Sequence, residues 1–432
     1  MIVDQFSSPL TGGAAIAARR LHDALNEQSI DSRFWYLQRG RQSPPNQSYR
    51  PLNSLQVGSL ANQIGFRLRR AHHKRLTKHA VKGRPVGFEM FSNPAGGWKI
   101  RHAGNFEGDI VHLHWFGDRF DYPSLIASIP SSVPIVWTLH DMSAFTGGCH
   151  YTDGCEAYQS ACGQCPQLGK QRDNDLSSQI FRVKQDAFRG KNLHIVAVGK
   201  ELEQQARNAA LLKDAVSFQT IHCGLETDVW KPQEKLSARE SFQLPSDAVV
   251  IGFGATNVQN HRKGLRELSA ALAQLKTQRR VIGLVFGDGQ IPNECQERIE
   301  LRNIGFVSQQ ADLTRMYSAI DFFAMPSLEE AFGMTGLEAM ACGAPVVAFG
   351  AGGIRDYVRP GVTGLLADVG NVQQLARQTD WMIEHESERS AMGKKAREMV
   401  VAEFDFSCQA AKYIHVYERA LARWSGDSKA AA

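Results

Sequence analysis

The stretch Glu330-Ala331-Phe332-Gly333-Met334-Thr335-Gly336-Leu337-Glu338-Ala339-Met340-Ala341-Cys342-Gly343-Ala344-Pro345-Val346-Val347 decides how the rest of the chain is read. An apolar run ending Met325-Pro326-Ser327 precedes it, and Pro345 opens another after the turn Gly343-Ala344-Pro345. The pattern predicts strand, loop, helix, turn, strand. Glu330 then falls in the loop at a strand's carboxyl end, and Glu338 about two turns into the following helix. In an open parallel sheet that end is where ligands bind. The N–H groups of Phe332, Gly333 and Met334 at the helix start favour an anion. Two carboxylates around such a cradle suit a ligand carrying both hydroxyls and phosphates.

The rhythm extends in both directions. Apolar runs at 2–6, 34–37, 109–113, 134–139, 193–198 and 216–221 read as strands buried on both faces of a parallel sheet. The first is short, and a start placed further upstream would lengthen it. Residues 41–54 are polar, with Pro44-Pro45, and read as a loop. Runs at 248–254, 281–286, 302–307, 321–325, 345–349 and 365–366 repeat the pattern. Two βα arrays in tandem predict an α/β chain of two Rossmann-like domains facing across a cleft. The break is placed in 221–232, giving domains of 1–222 and 223–407.

Composition sets outer bounds. At 432 residues the chain is too long for one ordinary core. A content of 43% hydrophobic and 22% charged residues is ordinary for a globular protein. No apolar run is long enough to span a bilayer and no basic-then-apolar leader opens the sequence, so the expected location is cytoplasmic. The net charge of +5 implies no particular partner, so the placement of charge matters more. Residues 66–84 hold Arg67, Arg69, Arg70, Lys74, Arg75, Lys78, Lys82 and Arg84 and no acid. As a helix they set Phe66, Leu68 and Leu76 among positive charge, suited either to anionic lipid headgroups or to plain solvation. With one aromatic in the run, nucleic acid is not the expected partner.

Five further features carry chemistry. Gly12-Gly13 ends the first strand's loop and opens a helix, where small residues let a phosphate or sugar approach the backbone. His114 and His140 end two strands at the same carboxyl edge; Asp141 is placed to hold His140, and His112 is expected on the opposite face of its strand. Arg262-Lys263-Gly264 follows the first strand of the second array and offers cations to a leaving phosphate. Gly252 and Gly254, with Asn257 where a third glycine would stand, leave the dinucleotide fingerprint incomplete, which weakens a dehydrogenase reading. Cys149, Cys155, Cys162 and Cys165 crowd into seventeen residues; for a cytoplasmic chain such clustering suggests structural zinc, with free or disulfide-paired thiols as the alternative. Cys223, Cys295, Cys342 and Cys408 are isolated and read as packing residues.

The spacing of Glu330 and Glu338 resembles the E-x7-E signature of family-4 glycosyltransferases. So does the ordered run of Gly305-Phe306-Val307, Leu313, Tyr317, Asp321, Pro326-Ser327, Gly333, Glu338-Ala339-Met340, Gly343, Pro345-Val346-Val347, Gly352-Gly353 and Gly361-Val362-Thr363-Gly364-Leu365-Leu366. The run from Thr138 to Tyr151 is similar to bacterial exopolysaccharide enzymes of the colanic-acid type. This resemblance implies the GT-B fold and a retaining transfer from a nucleotide-sugar donor to a hydroxyl of a growing glycan, lipid-linked and assembled at the inner face of the cytoplasmic membrane. It implies that Glu338 binds the ribose and Glu330 the sugar, beside the backbone of Phe332, Gly333 and Met334. Lys263, with Arg262, would hold the diphosphate. His114 would lie near the transferred sugar, His140 on the same wall, and Gly12-Gly13 would bind the donor near its phosphates, on the side from which the acceptor enters. The family needs no catalytic metal, so zinc would be structural. It also sends its last helix back to the first domain, here 409–424 with Tyr413, Val416, Tyr417 and Leu421 on one face. Asn257 departs from the family, which carries Arg at that position. That departure keeps a non-catalytic nucleotide-sugar-binding scaffold as an alternative. A zinc-containing nucleic-acid-binding protein is a more distant one.

Overall fold

The computed structural model describes residues 1–8, 10–37, 44–52, 60–84, 90–100, 106–117, 119–289 and 299–430. Cys295 and part of the 41–54 segment lie outside the described residues. The chain divides into two compact units, Met1–His222 with Ser407–Ala432, and Cys223–Phe406.

In the first unit the described strands are β1 (Ile2–Ser7), β2 (Asp31–Tyr36), β3 (Tyr49–Pro51), β4 (Ile110–Leu113), β5 (Ile135–Leu139), β6 (Leu193–Ala197) and β7 (Ser217–Thr220). They form one sheet in the order β3-β2-β1-β4-β5-β6-β7, every pairing parallel. β4, β5 and β6 are buried along their whole length, as apolar runs covered on both faces should be. The structure differs from the sequence reading at β1, which at six residues is not short, and at β3, which lies inside the expected loop. β3 is an edge strand, where Pro51 costs no interior ladder bond.

The second unit holds β8 (Val249–Asn257), β9 (Val281–Asp288), β10 (Glu300–Asn303), β11 (Phe322–Met325), β12 (Val346–Phe349) and β13 (Gly364–Ala367). These are ordered β10-β9-β8-β11-β12-β13, again all parallel. Its core joins Val249, Ile251 and Phe253 of β8 to Phe322, Val347 and Phe349, and to Leu375 and Met382 of the helix Val372–Glu384. β10 begins two residues earlier than expected and stops before Gly305, whose φ of 71° turns the chain and leaves Phe306 exposed.

The last helix, Phe406–Ala430, belongs to the first unit from Ser407 onward. Tyr413, Val416 and Tyr417 are buried, a stripe of helical period. Tyr413 and Tyr417 hydroxyls lie 2.7 Å from Thr138 Oγ1 and His112 Nδ1, so buried polar groups of β4 and β5 are satisfied by this helix. Trp424 lies beyond its described side chains.

Candidate functional site

Each sheet has one point where the strand order reverses, and the crevice outside such a point is where ligands bind in this architecture. In the second unit it lies between β8 and β11. The loop after β8 ends in a turn of 3-10 helix, His261–Lys263, capped by the Asn260 side chain, which accepts from Arg262 N at 3.0 Å. Gly264 follows in the left-handed region, φ 71°, and a Cβ there would stand 1.8 Å from Pro326 O. Leu328 N donates to Arg262 O at 2.8 Å. The loops after β8 and β11 are therefore stitched together by backbone contacts that only glycine permits.

That stitching delivers Lys263 to Glu330. Lys263 Nζ stands 2.5 Å from Glu330 Oε2, and Arg262 Nη1 lies 3.3 Å from the same oxygen. Arg262 Nη1 also donates to Glu329 O at 2.7 Å. The Glu330 side chain is 8% exposed. Burial raises its pKa, but Lys263 and then Arg262 outweigh burial and hold the carboxyl below its ordinary range. Arg262 thus points into the cluster, while Asn257 is occupied locally, its Oδ1 accepting from Gln259 N at 2.9 Å.

The helix Met334–Ala341 begins one residue after Gly333, whose φ is 89°. A Cβ on Gly333 would meet Met325 Cε at 2.4 Å, and one on Gly352 would meet Glu330 O at 1.8 Å. Phe332 is buried against Tyr357, so it can offer a ligand its backbone rather than its ring. Glu338 is the helix's fifth residue, a little over one turn in rather than two. It is buried, and the Tyr317 hydroxyl donates to its Oε2 at 3.4 Å.

In the first unit the reversal lies between β1 and β4. Gly12, φ 94°, caps the helix Gly13–Glu27. A Cβ on Gly12 or Gly13 would meet nothing within 4 Å, so this helix start is open. His114 follows β4, its N–H bonded to Phe6 O at 2.9 Å. Its imidazole is buried, Nε2 2.7 Å from Gln5 Oε1 and Nδ1 3.3 Å from His140 Nε2. Gln5 Nε2 donates to Ser32 Oγ at 2.7 Å, which leaves Oε1 as the acceptor and puts the proton of His114 on Nε2. The chain continues through His22 Nδ1, 2.8 Å from Ser32 Oγ, to His22 Nε2 and Ser48 Oγ, again 2.8 Å. His114 Nδ1 is left as an acceptor toward His140. Burial pushes the His140 pKa down to about 4, Asp141 opposing.

Two expectations are corrected here. Asp141 does not hold His140. Its Oδ2 lies 2.7 Å from His150 Nδ1 and accepts from Trp115 Nε1 at 2.7 Å, and its Oδ1 accepts from Ser143 N. His112 does not face away from His114, since their rings lie 4.1 Å apart. A strand's period of two puts residues i and i+2 on one face. His114, Trp115, Tyr122, Thr138, His140 and Asp141 share a cavity of about 10 Å³, at the lower limit for one water molecule.

The sequence reading missed Gln5, Trp115 and His150. A buried Asp4-Gln5 pair inside a strand covered on both faces was the available signal for the first. The four clustered cysteines line one further cavity. Among the described residues, no three His, Cys, Asp or Glu side chains stand ready to hold a metal ion.

Residues 238–399 match the family described as glycosyl transferases group 1. The D-inositol 3-phosphate glycosyltransferase of Mycobacterium tuberculosis (strain ATCC 25618 / H37Rv) is 29% identical over 287 residues, covering 64% of this chain and 54% of its own length. The chain thus spans about half the length of the curated relatives it matches. Among solved structures, sucrose-phosphate synthase from Thermosynechococcus elongatus superposes with a TM-score of 0.65 at 18% identity, covering 98% of this chain and 99% of that one. Anabaena Alr3699/HepE, solved with UDP and glucose, gives 0.62 at 17% identity, covering 97% and 100%. These likenesses show the fold, two Rossmann-like domains of the GT-B type.

Proposed function

We propose that the chain is a retaining glycosyltransferase of family 4, moving a hexose-type sugar from a nucleotide donor to a hydroxyl of a growing cell-surface glycan, lipid-linked as in colanic-acid-type assembly. The observation that carries the reading is the Lys263–Glu330–Arg262 cluster at the strand-order reversal, with Glu338 buried a little over one turn into the helix that follows. The group 1 match covers this segment, and the neighbour solved with UDP supports a nucleoside diphosphate as the leaving group.

In this reading Glu338 accepts hydrogen bonds from ribose hydroxyls and Glu330 from hydroxyls of the sugar. The backbone at Phe332, Gly333 and Met334 faces the phosphates. The bond from the sugar's anomeric carbon to the phosphate oxygen breaks, and one to the acceptor oxygen forms on the same face. The acceptor's proton passes to the departing phosphate oxygen. Negative charge grows on the diphosphate, and Lys263 and Arg262 stabilise it there. Arg262 supplies the guanidinium that Asn257 lacks, which favours catalysis over a binding scaffold. Gly12-Gly13 is assigned to the donor near its phosphates, on the side where the acceptor enters, and His114, with His140 on its wall, to the transferred sugar.

The membrane part of the reading rests on the helix Leu60–Ala80. Ile64, Leu68 and Leu76 are exposed at four-residue multiples, among Arg67, Lys74, Arg75 and Lys78, also exposed. Phe66 takes no part, since it stacks on Trp98 at 3.8 Å. Among the described residues no helix is long and apolar enough to cross a membrane. Charge reversal at Arg67, Lys74 and Lys78 should lower co-sedimentation with anionic vesicles and leave turnover on a soluble acceptor unchanged.

The transfer reading is tested by Glu338→Ala and Lys263→Ala in a donor-consumption assay on folded protein. Both should lower transfer by about a hundredfold or more. Losses of only a few-fold in both remove the site assignment.

A further inference from the structure

The segment between Asp141 and the helix Leu176–Phe188 holds no strand and only two single turns of 3-10 helix, Met142–Ala144 and Ala157–Gln159. Something other than a ladder must order it. Cys149, Cys155, Cys162 and Cys165 come together around one cavity of about 20 Å³, closed also by Phe91 and Tyr158. That is room for a single water-sized body. The geometry points to a structural Zn²⁺ site there, held by these four thiolates.

Three independent observations support it. The first is the set of donors to sulfur. Gly147 N donates to Cys162 Sγ at 3.1 Å. The Gln167 N–H reaches Cys165, while the Thr146 and Ser177 hydroxyls brace the loop by donating to Cys149 O at 2.6 Å and Asp175 Oδ1 at 2.6 Å. Burial pushes the Cys162 and Cys165 thiols up to about 11, and the N–H groups aimed at their sulfurs oppose that and fix the direction of the sulfur.

The second is backbone strain around the ligands. Asp153 and Gln164, at φ 49° and 46°, are two of the four described non-glycine residues in the left-handed region. One lies two residues before Cys155, the other between Cys162 and Cys165. Each such residue costs about 1 kcal/mol or more and persists where the surroundings over-determine it. Gly147 is similarly forced, because a Cβ would stand 2.4 Å from Ser177 O and 2.8 Å from Cys162 Cβ.

The third is a buried cation. Lys184 is 1% exposed, and its Nζ donates to two neutral carbonyls, Ser143 O at 2.6 Å and Thr146 O at 2.8 Å. Asp141, Cys149 and Cys162 are the groups near enough to favour its charge. Four thiolates around one Zn²⁺ carry a net charge of −2, which supplies a counter-charge for that ammonium. Loading balances as four thiols plus Zn²⁺ giving the tetrathiolate and four protons released to solvent. The sulfurs do not yet stand at ligating positions. Rotation about the cysteine Cα–Cβ bonds toward the cavity centre is what the ion would supply. Soft sulfur donors in a closed four-ligand site select zinc over harder divalent ions.

The test uses the full chain purified without chelators, with metals measured by plasma mass spectrometry and zinc release followed while a mercurial titrates the thiols. About one zinc per chain is expected, released in step with these four thiols, and Cys162→Ser with Cys165→Ser should take the content below about a tenth of that. Should the double variant fail to fold, cobalt loaded into the wild-type chain gives the second readout, a sulfur-to-cobalt charge-transfer band. Iron in place of zinc overturns the proposal. So do four freely alkylated thiols without metal, or a mass lowered by two hydrogens per disulfide.

Discussion

Lys263 Nζ stands 2.5 Å from Glu330 Oε2 across 67 positions of sequence. The contact follows from topology rather than from either residue's neighbours. β8 and β11 pair in parallel, their following loops leave at the same edge, and Gly264 lets the first loop press against Pro326. Without a ligand Glu330 balances the two cations. In the proposed reading a diphosphate competes with that carboxylate for Lys263 and Arg262, which would couple binding and release to the same ion pair.

Lys263→Ala should lower kcat by about a hundredfold or more, the usual loss when a transition-state charge partner is removed. Steady-state kinetics on folded protein checks it. A loss of only a few-fold would assign Lys263 to the resting ion pair alone.

Gly264→Ala should destabilise the second unit and weaken nucleotide binding together. It combines left-handed strain of about 1–3 kcal/mol with a backbone collision. Gly361→Ala is the control, since its φ is 75° but its Cβ would meet nothing within 4 Å. Thermal melts and nucleotide titrations of both should separate collision from strain.

Gln5→Leu should remove the acceptor that fixes the proton of His114 on Nε2. Leaving that buried N–H unpaired costs about 1–3 kcal/mol. Nitrogen-15 spectra of the histidines should show the Nε2-protonated tautomer in the wild type and a mixture in the variant. Unchanged spectra would detach Gln5 from His114.

Mild acid should unfold the first unit before the carboxylates titrate. Burial, with Arg19 adding for His22 and His140 for His112, pushes those two pKa values down to about 3. Burial, with the neighbouring histidines, holds His114 well below its ordinary value. A base whose folded pKa is depressed stays neutral in the native state while the unfolded chain takes up a proton, so stability falls as pH drops below about 6.5. Each histidine kept neutral in the fold adds to that slope, so the three together make it steep. Urea unfolding midpoints should be flat in this respect above pH 7 and fall steeply from pH 6 to pH 4.

The strands covered on both faces were legible as apolar runs, and the Glu330–Glu338 motif was legible because loop, helix and turn each left their own residues. β3 was hidden because three residues ending in proline at an edge look like loop. The partner of Asp141 was hidden because adjacency in sequence suggested His140, whereas the chain turns back and brings His150 to it. Arg262 illustrates the limit most clearly. Its place beside Lys263 was readable, but the direction of its side chain depended on Glu329 O and Glu330, which arrive from another strand.

The most direct measurement is calorimetric titration of the purified chain with UDP, GDP and ADP, repeated on Glu338→Ala. The account predicts binding of one of these nucleotides at one site per chain, weakened by the substitution. Failure of all three to bind, with the protein folded, would contradict it.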